Sequence, residues 1–234
     1  MNNENTNWRT KLRKGFLAVA GWLIPLVVSG PSLFIWAGLM TMPLLIYVGI
    51  MFLSLFDPSI RYSGQAPTIP YFLSALDVML LGGPHLPDKI MSISGIFLMV
   101  YATIHLNRNR KSGLVISGPY RLVRNPQYFG ALLYTINLTS RSYREVLGDV
   151  GWLGPTGTLL VWLGTVLAYI LLALIEEGYL TKEFPEAYPP YHRRTPFLIP
   201  FTGAHRTWIE IAIALVIPAA LLWGLVRLNF LLYI

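Results

Sequence analysis

Leu153-Gly-Pro-Thr-Gly-Thr-Leu-Leu-Val-Trp-Leu-Gly-Thr-Val-Leu-Ala-Tyr-Ile-Leu-Leu-Ala-Leu-Ile175 contains no charged residue and is followed at once by Glu176-Glu177. An uncharged apolar run of about 20 residues is long enough, as a helix, to cross the hydrocarbon core of a bilayer. The rest of the chain repeats this signal. Of its 234 residues 54% are hydrophobic and 12% charged. A soluble domain averages about 25% charged residues, so this chain lacks the polar groups to coat a water-facing surface. The competing reading is a soluble all-helical protein with a very large core.

Working outward, the run 32–56 has comparable length, and 90–106 and 208–226 are slightly shorter. Three further apolar stretches, 15–29, 71–83 and 128–139, are short for a span. Such segments tilt, pair as tight hairpins, or lie inside a bundle away from lipid. Ser29-Gly30-Pro31 and Gly82-Gly83-Pro84 read as turns. The fold expected is all-α: a polytopic transmembrane bundle of about five to seven helices. Its divisions are N-terminal helices over 1–89 that shape an acceptor site, a core over 90–207, and a C-terminal helix over 208–234. The basic stretch Arg9, Lys11, Arg13 and Lys14 before 15–29 resembles a signal peptide. Without a small-x-small cleavage site, it reads instead as a retained first helix.

The net charge of +7 is dispersed between apolar runs, a pattern of membrane orientation rather than nucleic-acid binding. Bases concentrate in the N-terminal stretch, in 107–127 (Arg108, Arg110, Lys111, Arg121, Arg124) and in 176–207 (Lys182, Arg193, Arg194, Arg206). Four crossings and then two separate these segments, so all three fall on one side, read as cytoplasmic. The chain has no cysteine, which excludes disulfides, thiolate metal sites and cysteine nucleophiles. No metal site is expected.

The two basic segments of the C-terminal half have unusual composition. The first reads Ser112-Gly-Leu-Val-Ile-Ser-Gly-Pro-Tyr120-Arg-Leu-Val-Arg124-Asn-Pro-Gln-Tyr128-Phe-Gly130. The second reads Glu176-Glu177-Gly-Tyr-Leu-Thr-Lys-Glu-Phe184-Pro-Glu-Ala-Tyr188-Pro-Pro-Tyr191, followed by Thr195-Pro-Phe-Leu-Ile-Pro200. Gly118-Pro119 and Asn125-Pro126 disfavour helix locally. Irregular backbone beside a membrane is tolerated where it is buried in protein or lines a polar cavity. Tyr120 and Tyr128 offer flat faces with hydroxyl tips, and Asn125 both a donor and an acceptor. Glu176 or Glu177 can accept from an amine or ribose, or balance a cation. Taken singly, each has an ordinary explanation: a solvated helix end, a belt of interfacial tyrosines, a turn.

The combined pattern Gly-Pro-Tyr-x-x-x-Arg-Asn-Pro-x-Tyr-x-Gly, then a hairpin, then Glu-Glu-x-x-Leu-x-x-x-Phe-x-x-x-Tyr-x-x-Tyr, resembles the integral membrane methyltransferases. That superfamily includes isoprenylcysteine carboxyl methyltransferase and phosphatidylethanolamine N-methyltransferase. The resemblance covers about residues 90–200. It implies S-adenosylmethionine as cofactor, held in a cytoplasmic pocket by His105, Leu114, Val115, Tyr120, Asn125, Pro126, Gln127, Tyr128 and Glu176. It also implies catalytic roles among Arg124, Asn125, Tyr128 and Glu177.

Where many relatives have Arg-His-Pro, this chain has Arg124-Asn125-Pro126, as phosphatidylethanolamine methyltransferases do. The prenylcysteine enzymes carry an arginine one turn before the glutamates; Leu172 stands there in this chain. The resemblance therefore favours a membrane lipid as partner, with a phospholipid amine head group as acceptor, over a prenylated carboxylate. A small thiol, an NADPH-dependent membrane reductase of related fold and a non-enzymatic transporter are the alternatives. Proton carriers for an ammonium acceptor are Glu177, His105 or a water held by Tyr128. Asp77, an acid inside an apolar run, is a functional suspect by position.

Overall fold

The computed structural model describes residues 33–55, 81, 85–147, 154–203 and 206–231. The proposed segments 15–29 and 71–80, the turns at 29–31 and 82–84, and Asp77 lie outside the described residues. Helix α1 is Leu33–Leu55, α2 Leu86–Asn109, α3 Pro126–Leu147, α4 Gly154–Glu183, α5 Tyr188–Arg194 and α6 Thr207–Leu231. Two single 3₁₀ turns, Arg110–Ser112 and Gly118–Arg121, lie between α2 and α3. Among the described residues there is no strand.

Among the described residues, three stretches are long and apolar enough to cross a membrane: Leu86–Ser112, Gly154–Glu183 and Thr207–Leu228. Their outward faces are what lipid requires. Ile93, Phe97, Val100 and Ile104 on α2, Leu160, Leu163 and Leu167 on α4, and Val216, Leu221 and Trp223 on α6 are all exposed. Apolar patches of that extent mark a surface covered by lipid or another protein.

Helix α3 is different. It packs against α1, α2, α4 and α6, and its side chains from Tyr128 to Ser142 are almost all buried. The run 128–139 looks short in the sequence because polar residues follow and interrupt it. Thr135, Asn137, Thr139 and Ser140 are fully enclosed, and most are satisfied within the bundle. Thr139 Oγ1 bonds the Thr135 carbonyl at 2.7 Å and meets the Tyr47 hydroxyl of α1 at 2.6 Å. Asn137 Nδ2 donates to Ser92 Oγ of α2 at 2.7 Å. A helix bearing these groups is costly against hydrocarbon and belongs inside a bundle.

The sharpest packing is between α2 and α3. A Cβ added at Gly95 would lie 2.7 Å from the Gly130 carbonyl oxygen, and one at Gly130 would lie 2.7 Å from the Gly95 carbonyl oxygen. Small residues at such a crossing let two backbones touch, which increases dispersion contact where no hydrophobic force drives helices together. Pro126 opens α3, where its missing N–H costs nothing and its φ is already helical.

One boundary differs in a way that matters. α4 does not end at Ile175 but runs on to Glu183. Glu176 and Glu177 therefore sit within the helix, about two turns before its end, and not in a following loop. Leu, Glu, Tyr and Lys are compatible with continued helix, and the break comes only at Phe184-Pro185. The segment 176–207 likewise contains α5 rather than being wholly loop.

Candidate functional site

Segments 112–130 and 176–191 are joined in space. The Tyr191 hydroxyl donates to the Tyr120 backbone carbonyl at 2.8 Å. Arg124 Nε lies 3.1 Å from Glu177 Oε1. The Tyr128 hydroxyl hydrogen-bonds the Glu176 carboxyl. A third segment backs the first: the Arg124 amide donates to the Pro196 carbonyl at 2.9 Å, and Asn125 Nδ2 to the Phe197 carbonyl at 3.1 Å. Asn125 thus spends its side-chain donor on the backbone of 195–199, whose residues are all buried.

Arg124 is the hub of a buried ion cluster. Besides Glu177 on α4, its Nη2 is held by Glu210 Oε2 on α6, and its guanidinium lies 5.5 Å from the Phe197 ring centroid. Side chains of Arg124 and Glu210 are all but fully buried. His192 Nε2 stands 3.6 Å from the other Glu177 oxygen. A cation taken from water is tolerable when its donors meet carboxylates at close range. The arrangement ties the loop before α3 to α4 and α6. Glu177 and Arg124, both candidates for direct chemistry, are thereby engaged with each other. Glu210 lies inside the apolar run 208–226, and that position was the available sequence signal for it.

Around Glu176 the chemistry is less saturated. Its Oε2 is buried with no hydrogen-bond partner. Gln127 is buried; its Oε1 accepts from the Tyr120 hydroxyl at 3.0 Å, while its Nε2 is a buried donor without a partner. One acceptor and one donor are thus left unmatched beside Tyr120 and Tyr128, where burial makes an unmatched group costly. Burial, with the nearby charge of Glu176 second, pushes the Tyr120 phenol well above its ordinary pKa, so it stays a donor.

His105 forms the lip of this region. Its Nε2 is 2.9 Å from Ser117 Oγ, and its ring stacks at 6.5 Å from that of Tyr120. Gly118 makes the approach possible, with φ +60° and no side chain; a Cβ there would lie 2.8 Å from the imidazole. Val115 packs with Ala102 and Tyr120 in a small separate core, with Leu106 against it. Leu114 is half-buried, and Pro126 is buried at the start of α3. The structure therefore brings His105, Val115, Tyr120, Gln127, Tyr128 and Glu176 into one neighbourhood and sets Arg124, Asn125 and Glu177 behind it as a brace.

No family model matches the chain, and no solved structure matches it. The chain is similar to the cobalt-zinc-cadmium resistance protein CzcN of Cupriavidus metallidurans, with 33% identity over 116 residues. The match covers 47% of this chain and 47% of that protein, so the chain spans about half the length of the curated relative it matches.

Proposed function

We propose that this protein is a membrane-embedded, S-adenosylmethionine-dependent methyltransferase acting on a lipid or lipophilic acceptor, with a phospholipid amine head group as the preferred one. The observation that carries this reading is two unmatched polar atoms, Gln127 Nε2 on a residue bonded to Tyr120 and Glu176 Oε2 on a residue bonded to Tyr128. A nucleoside bearing an amino acid offers what these atoms lack. Its hydroxyls or ammonium suit the Glu176 carboxyl, its carboxylate suits the Gln127 amide, and its base suits an aromatic face such as Tyr120 or His105. The loop segments lie on the cytoplasmic side in this reading, where the basic residues of 107–127 and 176–207 place them.

When bound, the cofactor supplies an electrophilic methyl on sulfonium with a good leaving group. The residues of the chain have the tasks of binding, orienting and excluding water. Glu176, Gln127, Tyr120 and His105 would hold the group, which would supply its methyl to a neutral acceptor nitrogen and leave as the thioether. An ammonium acceptor first gives up its proton. His105 and a water on Tyr128 are the carriers not committed to the ion cluster, whereas Glu177 is occupied by Arg124 and His192.

Calorimetry with S-adenosylmethionine tests the reading. The purified parent binds, and Glu176→Gln and Tyr128→Ala weaken binding at least about tenfold, as loss of a hydrogen bond to a charged group implies. Equal affinity in parent and variants, or no binding by the parent, refutes it. Incubation with labelled cofactor and a total lipid extract, read by mass spectrometry, then identifies the acceptor.

The similarity to CzcN favours a second reading, in which the protein contributes to metal tolerance. Among the described residues no group of three or more His, Asp or Glu is placed to hold a metal ion. Deletion of the coding sequence separates the two. Loss of growth at elevated cobalt, zinc or cadmium with an unchanged methylated-lipid profile favours the second.

A further inference from the structure

α4 carries the Glu176 neighbourhood near one end and a second feature near the other. Trp162 precedes Glu176 by fourteen residues, about 21 Å of helix. At that level the C-terminal part of α3, the N-terminal part of α4 and the C-terminal part of α6 line an open-sided cavity of about 450 Å³. That is within the roughly 300–1,000 Å³ typical of small-molecule sites. Its walls are mainly apolar, from Leu159, Trp162, Leu222 and Trp223, while Tyr143 and Arg227 bring polar tips.

Three observations say what belongs there. Arg227 stands 5.3 Å from the Trp223 ring centroid, and no carboxylate among the described residues pairs with it. Trp162 is buried, and its ring forms part of the cavity wall. All of this lies at the ends of helices long and apolar enough to span a bilayer. An apolar slot beside a cation that no described carboxylate pairs, with tryptophan and tyrosine at its edge, matches an acyl chain below an anionic head group.

We propose that this cavity is a binding site for an anionic glycerophospholipid. One acyl chain lies between Leu159 and Leu222 against the Trp162 ring, and the phosphate and head group lie at Arg227 and Tyr143. The site lies at the opposite membrane surface from segments 112–130 and 176–191. It is separate from the proposed methyl transfer, since Trp162 stands about 21 Å along α4 from Glu176.

The test uses the full-length protein in mild detergent with an equimolar mixture of dioleoyl phosphatidylglycerol and dioleoyl phosphatidylcholine. Native mass spectrometry reads the retained lipid. The parent retains the glycerol lipid in about fivefold preference, the selectivity one basic residue provides toward an anionic lipid. Arg227→Gln brings the ratio to about one, and Arg227→Lys restores it. Leu159→Trp fills the slot and abolishes retention with Arg227 intact, which keeps the test open if the Gln variant fails to fold. Equal retention of both lipids by the parent, a ratio unchanged in Arg227→Gln, or undiminished retention in Leu159→Trp overturns the proposal.

Discussion

Gly95 and Gly130 face each other across the α2–α3 crossing so closely that each one's missing Cβ would fall 2.7 Å from the other's carbonyl oxygen. The obstructing atoms are backbone, so neither can swing aside. Gly95→Ala and Gly130→Ala each push α2 and α3 apart and destabilise the protein by about 1–3 kcal/mol, the usual cost of overpacking. Thermal unfolding in detergent checks this. An unchanged midpoint for both variants shows that the helices separate freely.

The Arg124 cluster predicts a second and larger effect. Removing one partner of a buried ion pair leaves an uncompensated charge and costs about 3–5 kcal/mol. Arg124→Met removes the guanidinium that Glu177 and Glu210 share, whereas Glu210→Gln leaves Arg124 with Glu177. The first is the more destabilising. A double variant, Arg124→Met with Glu210→Gln, recovers part of the loss. Strict additivity of the two single effects contradicts the cluster.

Gly118 combines a φ of +60° with a contact to His105, and both exclude a side chain. Gly118→Ala adds left-handed strain of about 1–2 kcal/mol and forces the imidazole off Ser117. On the proposed function, affinity for S-adenosylmethionine falls several-fold while the unfolding midpoint drops only by the few degrees that about 1–2 kcal/mol implies. Calorimetry beside thermal unfolding distinguishes this from a general loss of fold.

Tyr120, Tyr188 and Tyr191 lie outside the spanning stretches, and burial pushes all three phenols well up. Glu176 adds to the rise at Tyr120 and Glu177 at Tyr188; at Tyr191 Arg124 opposes it. Tyrosines of the unfolded chain ionise near about 10. Above that pH the unfolded chain has released protons that the folded one still holds, so stability falls as pH rises. The unfolding midpoint stays flat on this account below about pH 9 and drops between about pH 10 and 11, within the range set by free tyrosine. A flat profile through that range contradicts it.

Much of the architecture is legible in the residues themselves. Leu153–Ile175 and the run 208–226 announce spanning helices because hydropathy is summed over length and needs no partner. Gly118-Pro119 and Asn125-Pro126 mark irregular backbone because their constraints are local. What escaped the sequence depends on which surfaces meet. The polar residues that make α3 look like a weak span are what place it in the centre, and only packing shows that Tyr47 meets Thr139 and Ser92 meets Asn137. Glu176 and Glu177 are adjacent in the chain but project in different directions from α4, one to Tyr128 and the other to Arg124. That division follows from helical rotation of about 100° per residue and from which neighbours stand on each side. Composition and spacing fixed an apolar helical chain with two polar segments; only the tertiary structure determined that Glu210 completes the brace on Arg124, because a charge finds its partner by distance in space and not along the chain.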